Sequence, residues 1–153
     1  MKFHVLTLIV VAATSLSAVA ATPTLVTRCG GSAGYSYFHL GGVVTAKDAG
    51  WQEDSISAGQ SLLMREDAGK YDILFSDAMG RTVSSREDGA QVVVVSEAGS
   101  QLVLLVNYPE MNVETWVFSL DARGAGKLTY SQARYGKTAV SKKHSLMLAN
   151  CLR

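Results

Sequence analysis

The sequence predicts an all-β fold, an antiparallel up-and-down meander that closes, or nearly closes, into a β-barrel. Three observations predict it. Short β-forming segments recur from about residue 60 onward at a spacing of roughly ten, turn residues separate them, and Cys29 and Cys151 stand near opposite ends of the chain. Parallel strands need longer, usually helical, crossovers than these gaps allow. A two-layer β-sandwich is the alternative, because periodicity does not reveal strand order.

The chain begins with the features of a secretory signal peptide over residues 1–20. Lys2 supplies a positive charge, an apolar run follows, and the segment ends in Ala18-Val19-Ala20, small residues that signal peptidase accepts. The apolar run is too short to span a bilayer as a helix. We therefore expect cleavage after Ala20, no stable membrane insertion of the mature chain, and a periplasmic or secreted location.

The mature chain is predicted to be one domain. Residues 21–34 are expected to form an N-terminal extension and residues 35–153 a single β-rich domain, since no repeat, low-complexity tract or linker interrupts them. Without Lys2 the chain has equal numbers of acidic and basic residues, scattered along its length. Such a chain lacks the basic surface that nucleic acid or an anionic membrane requires, so both are excluded as partners.

Cys29 and Cys151 are the only cysteines of the chain. Exported compartments are oxidising, so the two are predicted to form a disulfide, with two free thiols as the alternative. A bridge that closes a loop over most of the chain should stabilise it by about 4–5 kcal/mol. A catalytic role for Cys29 is disfavoured, because no base stands beside it to activate the thiol.

The first strand is expected over residues 35–40, YSYFHL. Alternation along a strand places Tyr35, Tyr37 and His39 on one face. The following segment, residues 41–59, shows no clear period, and its larger apolar residues are Trp51 and Ile56. It is therefore predicted either as an irregular strap or as a short helix.

Eight further segments complete the predicted meander. They read GQSLLMR, YDILFS, TVSSR, QVVVVS, QLVLLVNY, VETWVFSL, KLTYSQAR and HSLMLANC. Alternation in the sixth of them places Trp116 and Phe118 on one face. The valine-rich hairpin of residues 92–95 and 102–106 is instead apolar on both faces, which a sheet with one wet side does not require. We therefore expect a second layer, residues 41–59 or another subunit to cover it, so a homodimer is an alternative to internal cover.

No catalytic or metal-binding motif occurs, so we expect a non-enzymatic protein without cofactor or metal. A binding module needs only a shaped surface, and its partner is predicted to be a small molecule or an envelope protein. Aromatic rings with polar tips suit such a site. The candidate ligand-binding residues are Tyr35, Tyr37 and His39, with Trp51 or Trp116 nearby. Packing into a half-buried barrel wall is the structural alternative for the same side chains.

The order of CGGSAGYSYF, YDILFSDAMGR, NYPE and ETWVF resembles a group of uncharacterised small exported bacterial proteins. The resemblance implies export and a β-rich domain, and it assigns no role to any residue. Lipocalins share the general architecture, but Trp51 directly follows Gly50, so their Gly-x-Trp motif is missing. A structural envelope protein and a secreted inhibitor of a cell-wall hydrolase such as lysozyme are the alternative functions, although no inhibitory motif matches.

Overall fold

The structure, a computed structural model, describes residues 22–66, 69–76, 80–137 and 139–153. This part of the chain forms β-strands and contains no helix, so the predicted all-β class is confirmed. It consequently holds no helix long and apolar enough to cross a membrane. The predicted signal peptide, residues 1–20, lies outside the described residues.

Eleven strands follow one another in the described residues, and all are antiparallel to their neighbours. They are β1 (Thr24–Cys29), β2 (Ser32–Phe38), β3 (Gly50–Ile56), β4 (Gln60–Arg65), β5 (Tyr71–Ser76), β6 (Thr82–Ser84), β7 (Gln91–Ala98), β8 (Gln101–Tyr108), β9 (Asn112–Leu120), β10 (Gly126–Arg134) and β11 (Lys143–Leu152). The eight segments predicted after residue 60 correspond to β4 through β11, one strand each. The ten-residue rhythm of turn residues therefore located these strands correctly.

The strands form one sheet in the order β6-β5-β4-β1-β11-β10-β9-β8-β7, and it curls strongly into a half-barrel. Strands β7 to β11 form an uninterrupted meander of hairpins, as the short connections predicted. Side chains alternate between the two sides of the sheet. On β9, for example, Glu114, Trp116 and Phe118 are buried on the concave side, while Val113, which precedes Glu114, is only half-buried on the convex side.

The sheet forks at β11, its longest strand. β2 pairs with residues 143–148 of β11, and β1 pairs with residues 151–152 on the same edge. β1 continues the sheet to β4, whereas β2 pairs with β3. Gly30 and Gly31 connect β1 to β2. A Cβ atom on Gly31 would lie 2.6 Å from the carbonyl oxygen of Ile56, so only glycine fits this close approach.

Two N-terminal segments differ from their prediction. Residues 21–34, expected as an extension, contribute β1 and the start of β2, which covers Ser32–Phe38 rather than residues 35–40. Residues 41–59, expected as a strap or a short helix, contain β3. β3 lies at a sheet edge with most of its residues exposed on both faces, and this explains why its sequence shows no apolar alternation.

The hydrophobic core fills the concave side of the half-barrel. Its largest fully buried side chains include Leu63, Ile73, Leu104, Val106, Phe118, Leu128 and Met147. The β7–β8 hairpin buries its inner residues here, as expected for a covered face. On its outer face, however, Val93 and Val95 are 51% and 61% exposed, so the described chain covers only one of the two faces.

Cys29 and Cys151 form the predicted disulfide, which is thereby confirmed. The two residues are direct partners in the β1–β11 register, and both are buried. The bridge joins the first strand to the last across 122 residues of sequence. Such a disulfide fits an oxidising, exported location.

The seam between β5 and β7 joins the two arms of the curled sheet through side chains. Nη2 of Arg86 donates to the carbonyl oxygens of Tyr71, at 2.9 Å, and Val92, at 3.0 Å. The Tyr71 hydroxyl donates to Oε1 of Glu97 at 2.7 Å. Among the described residues no ladder of backbone hydrogen bonds pairs β7 with β5 or β6. The predicted barrel is therefore a half-barrel whose seam depends on these side chains.

Candidate functional site

A row of polar residues crosses the concave side near one end of the sheet. Cross-strand pairing aligns Glu114 of β9 with Gln132 of β10, and Gln132 with Ser145 of β11. Ser145 in turn pairs with Ser36 of β2. All four side chains are buried, so each needs hydrogen-bond partners within the protein. They find them in two networks, one centred on Glu114 and one on Asp54.

Glu114 accepts four hydrogen bonds from neutral donors. Its Oε1 accepts from Nδ2 of Asn112 at 2.8 Å, Nε2 of Gln132 at 3.0 Å and the hydroxyl of Tyr130 at 3.1 Å. Its Oε2 accepts from the indole N–H of Trp116 at 2.9 Å. Only 7% of Glu114 is exposed, and no Lys or Arg of the described residues forms an ion pair with it. Dipoles alone therefore hold this carboxylate.

The environment shifts the pKa values of the acidic groups in this network. Burial raises the pKa of the Glu114 carboxyl, because removal from water disfavours its charged form, and the four donors oppose that rise. Burial likewise raises the pKa of Tyr108 to about 12, and the charge of Glu114 contributes to the rise. Burial and Glu114 also raise the pKa of Tyr130. Both phenols therefore stay protonated at neutral pH, which keeps Tyr130 a hydrogen-bond donor.

A cavity of about 600 Å³ adjoins the Glu114 network. Small-molecule sites commonly have volumes of about 300–1,000 Å³. The larger aromatic and aliphatic side chains of its wall include Ile56, Phe75, Tyr108, Trp116, Leu128 and Tyr130. Its charged lining residues are Glu114, Asp88 and Arg134, and the turns and loops at one end of the sheet supply Met111 and Val140. The cavity thus combines an apolar wall with a few charged groups.

The aromatic wall of the cavity is fixed by ring contacts as well as by hydrogen bonds. The Trp116 ring stacks on Phe118 with centroids 6.3 Å apart, and it tilts against Tyr130 with centroids 4.5 Å apart. Its indole N–H is bound to Glu114. Because ring contacts and a hydrogen bond constrain the same side chain, the position of Trp116 is determined before any ligand enters.

The second network is a paired carboxylate on the other side of the row. Oδ2 of Asp54 accepts from the hydroxyl of Ser36 and from Nζ of Lys143, each at 2.6 Å. The hydroxyls of Ser36 and Ser145 are 2.7 Å apart. Burial of Asp54 raises its pKa, but the hydrogen bonds from Lys143 and Ser36 together outweigh it, so the pKa is lowered. Asp54 therefore has the cationic partner that Glu114 lacks.

Four aromatic side chains form an outer aromatic cluster on the convex side: Tyr37, His39, Trp51 and His144. The Tyr37 ring meets His39 edge-on at 5.0 Å and Trp51 at 5.6 Å, and His39 meets His144 at 5.0 Å. Trp51 is 68% exposed. Within the described residues no side-chain hydrogen bond engages the polar atoms of these rings. The outer aromatic cluster is therefore an exposed patch rather than a pocket.

The structure brings together three of the five predicted ligand-binding residues. Tyr37, His39 and Trp51 are in contact, and Tyr35 is 55% exposed on the same side of β2. Trp116 lies on the concave side instead, 6% exposed, in the cavity wall. The five residues therefore belong to two separate places, the outer surface and the cavity.

Sequence reasoning missed Glu114 and its donors, although a signal was present. The alternation that places Trp116 and Phe118 on one face of β9 also places Glu114 and Asn112 on that face. A carboxylate in the inward register of a half-buried strand needs a partner or a function. On β10, Gln132 stands in the same inward register and pairs directly with Glu114.

The described residues contain no group of three or more His, Cys, Asp or Glu side chains placed to hold a metal ion. Comparison with known proteins gives no further guide to the site. No family model, no curated protein and no solved structure matches the chain.

Proposed function

We propose that the protein is an exported, non-enzymatic binding module that holds a small molecule in the cavity beside Glu114. One observation carries the proposal: a cavity of about 600 Å³ has an aromatic wall and a buried carboxylate that accepts four hydrogen bonds from neutral donors. Ligand sites typically combine a predominantly apolar wall with a few fixed polar groups that orient the ligand. The disulfide supports a periplasmic or secreted location.

The shape of the half-barrel favours the concave side over the convex side for a small ligand. A concave wall removes more of a ligand's surface from water than a convex wall does, and each Å² of apolar surface so buried contributes about 25 cal/mol. The outer aromatic cluster can contact a ligand from one side only. A ligand in the cavity therefore gains more from burial, and Trp116 belongs to its site, whereas Tyr35, Tyr37, His39 and Trp51 do not.

A cavity-filling variant tests this proposal. The uncharged fluorescent probe N-phenyl-1-naphthylamine should bind the mature protein and become brighter. Ser61 lines the cavity, so Ser61→Trp places a large ring inside it. Ser131→Trp is the matched control, because Ser131 lies between the inward-facing Tyr130 and Gln132 and faces outward. We expect Ser61→Trp to weaken probe binding about tenfold, or 1.4 kcal/mol, and Ser131→Trp to leave it within about twofold.

Two results would contradict the cavity as the binding site. One is wild-type protein that does not bind the probe at all. The other is equal weakening by the two tryptophan variants, both shown to be folded by circular dichroism, since this would place the probe elsewhere.

A second candidate function is recognition of an envelope protein by the outer aromatic cluster. The 68% exposure of Trp51 favours it, because large exposed rings are typical of contact residues in protein interfaces. A pull-down from envelope extract with wild-type protein and with Trp51→Ala tests it. A partner captured equally well by both proteins would exclude this surface.

A further inference from the structure

We infer that the ligand held in the cavity carries a positively charged amine or ammonium group, which lies beside Glu114 and against the rings of Trp116 and Tyr130. This inference rests on the proposed function and assigns the chemical class of the ligand. It follows from three features of the site: the charge balance of the wall, an acceptor position left on Glu114, and the aromatic rings around it.

Glu114 is a buried carboxylate without an ion-pair partner among the described residues. A buried carboxylate is costly unless a cation or enough hydrogen bonds compensate it, and Glu114 has only neutral donors. Arg134 and Asp88 also line the cavity, and they carry one charge of each sign. Lys143, nearby on β11, is bound to Asp54. The charged lining residues that the structure describes therefore sum to one net negative charge, which a cationic ligand group would neutralise.

The hydrogen bonding of Glu114 leaves room for one more donor. A carboxylate has about four acceptor positions, two on each oxygen. Oε1 accepts three hydrogen bonds in the described structure, whereas Oε2 accepts only the one from Trp116. An ammonium N–H of a ligand can occupy the second position on Oε2. Such a charge-assisted hydrogen bond is stronger than one between neutral groups.

The rings beside Glu114 also favour a cation. Trp and Tyr faces attract ammonium groups through the negative face of the ring, and the attraction grows when water is excluded. Trp116 and Tyr130 lie with ring centroids 4.5 Å apart, and both donate to Glu114. The carboxylate and two rings thus surround the same part of the wall. An anionic ligand group would meet the negative charge of Glu114 and the negative ring faces together.

Three indole compounds of similar size, with different charges, test the inference. Tryptamine is a cation at neutral pH, tryptophol is uncharged, and indole-3-acetate is an anion. Binding of each to the mature protein is followed by amide chemical-shift titration. We expect tryptamine to bind about tenfold more tightly than tryptophol, and indole-3-acetate to bind more weakly than either, because a desolvated charge pair contributes at least about 1.4 kcal/mol.

A substitution then assigns the preference to Glu114. In Glu114→Gln the preference for tryptamine over tryptophol should fall to about twofold or less. Glu53→Gln removes the same charge from an exposed position on β3 and should keep the wild-type preference. If Glu114→Gln does not fold, the comparison of the three compounds on wild-type protein still decides the question.

The outcomes separate this inference from the proposed function. Equal binding of tryptamine and tryptophol, or tighter binding of indole-3-acetate, overturns the cationic ligand while the cavity stands as a binding site. No binding of any of the three, with N-phenyl-1-naphthylamine still bound in a manner sensitive to Ser61→Trp, likewise overturns the inference alone. Loss of that probe binding as well overturns both.

Discussion

The cavity wall and the outer aromatic cluster contain the same kinds of side chain, rings with polar tips, in opposite surroundings. In the cavity wall the indole N–H of Trp116 and the hydroxyl of Tyr130 both donate to Glu114. In the outer aromatic cluster Tyr37, His39 and Trp51 meet only through ring edges. The inner rings are held by hydrogen bonds and packing together, whereas the outer rings contact one another edge-on and are partly exposed to solvent.

This difference shows what burial adds to an aromatic residue. A ring pair contributes about 0.5–1.5 kcal/mol beyond the area that it buries. A buried ring with a polar tip must also form a hydrogen bond. Removing that tip leaves its partner unsatisfied, which costs about 1–3 kcal/mol, and more if the partner is charged. The inner rings therefore contribute both to the stability of the fold and to the hydrogen bonding of Glu114. The outer rings are available for surface contacts.

The largest expected effect comes from making the same substitution in both regions. Trp116→Ala opens a void in the core and removes a donor from Glu114, so we expect it to lower the free energy of unfolding by about 3–5 kcal/mol. Trp51→Ala removes an exposed ring and should lower it by less than about 1 kcal/mol. Urea denaturation of both variants measures the difference. Similar losses would mean that the two regions are equally buried in solution.

The next effect is the pH dependence of stability that Glu114 produces. Its pKa is raised in the folded protein, so its contribution to stability is fully present below its ordinary value of 4.5 and is lost as pH rises through the folded pKa. The stability of wild type minus that of Glu114→Gln should therefore fall as pH rises above about 4.5, by about 1.4 kcal/mol per unit of pKa difference. Urea denaturation at a series of pH values measures this slope.

Asp54 serves as a control, because its contribution to stability should change with pH in the opposite direction to that of Glu114. Its pKa is lowered, so its contribution is present above its ordinary value of 3.8 and is lost as pH falls through the folded pKa. The stability of wild type minus that of Asp54→Asn should consequently rise with pH over the acidic range. Slopes of the same sign for Glu114 and Asp54 would refute the distinction between an unpaired and a paired carboxylate.

The smallest effect on probe binding is expected from the outer surface. Changing Tyr35, Tyr37 and His39 together to Ala should lower the free energy of unfolding by less than Trp116→Ala does, because these side chains lose only ring-edge contacts of about 0.5–1.5 kcal/mol each and open no void in the core. Binding of N-phenyl-1-naphthylamine should stay within about twofold of wild type. Circular dichroism and the probe titration check both expectations. Abolished probe binding in a folded triple variant would move the ligand to the outer face.

Much of the fold could be predicted from the sequence because strands with one wet side alternate. β9 is the clearest case, since Trp116 and Phe118 share the buried side as their spacing requires. β3 could not be predicted in this way, because its two faces are both exposed and its residues are mostly polar. β1 was missed for another reason: it belongs to the sheet only through its pairing with β4 and with the end of β11. Such long-range pairing leaves no local pattern.

The candidate site was predicted less well than the fold. Alternation correctly grouped Tyr35, Tyr37 and His39, but it does not say which side of a curled sheet is concave. Only the chemistry of its ring points to Trp116, and no motif marks Glu114, although it occupies the same register of β9. The cavity depends on the curvature of the whole sheet, and no short segment of sequence carries that information.

At the seam that Arg86 bridges, no backbone ladder of the described residues sets the distance between the two neighbouring strands. A backbone ladder holds two strands about 4.8 Å apart, and any wider spacing breaks it. Between β5 and β7 a guanidinium bridges the carbonyl oxygens of Tyr71 and Val92 instead. The spacing at this seam therefore depends on the conformation of one long side chain, whereas backbone ladders set it between the paired strands. Under the proposed function, a wider ligand would displace one arm of the sheet at this seam and leave every ladder intact.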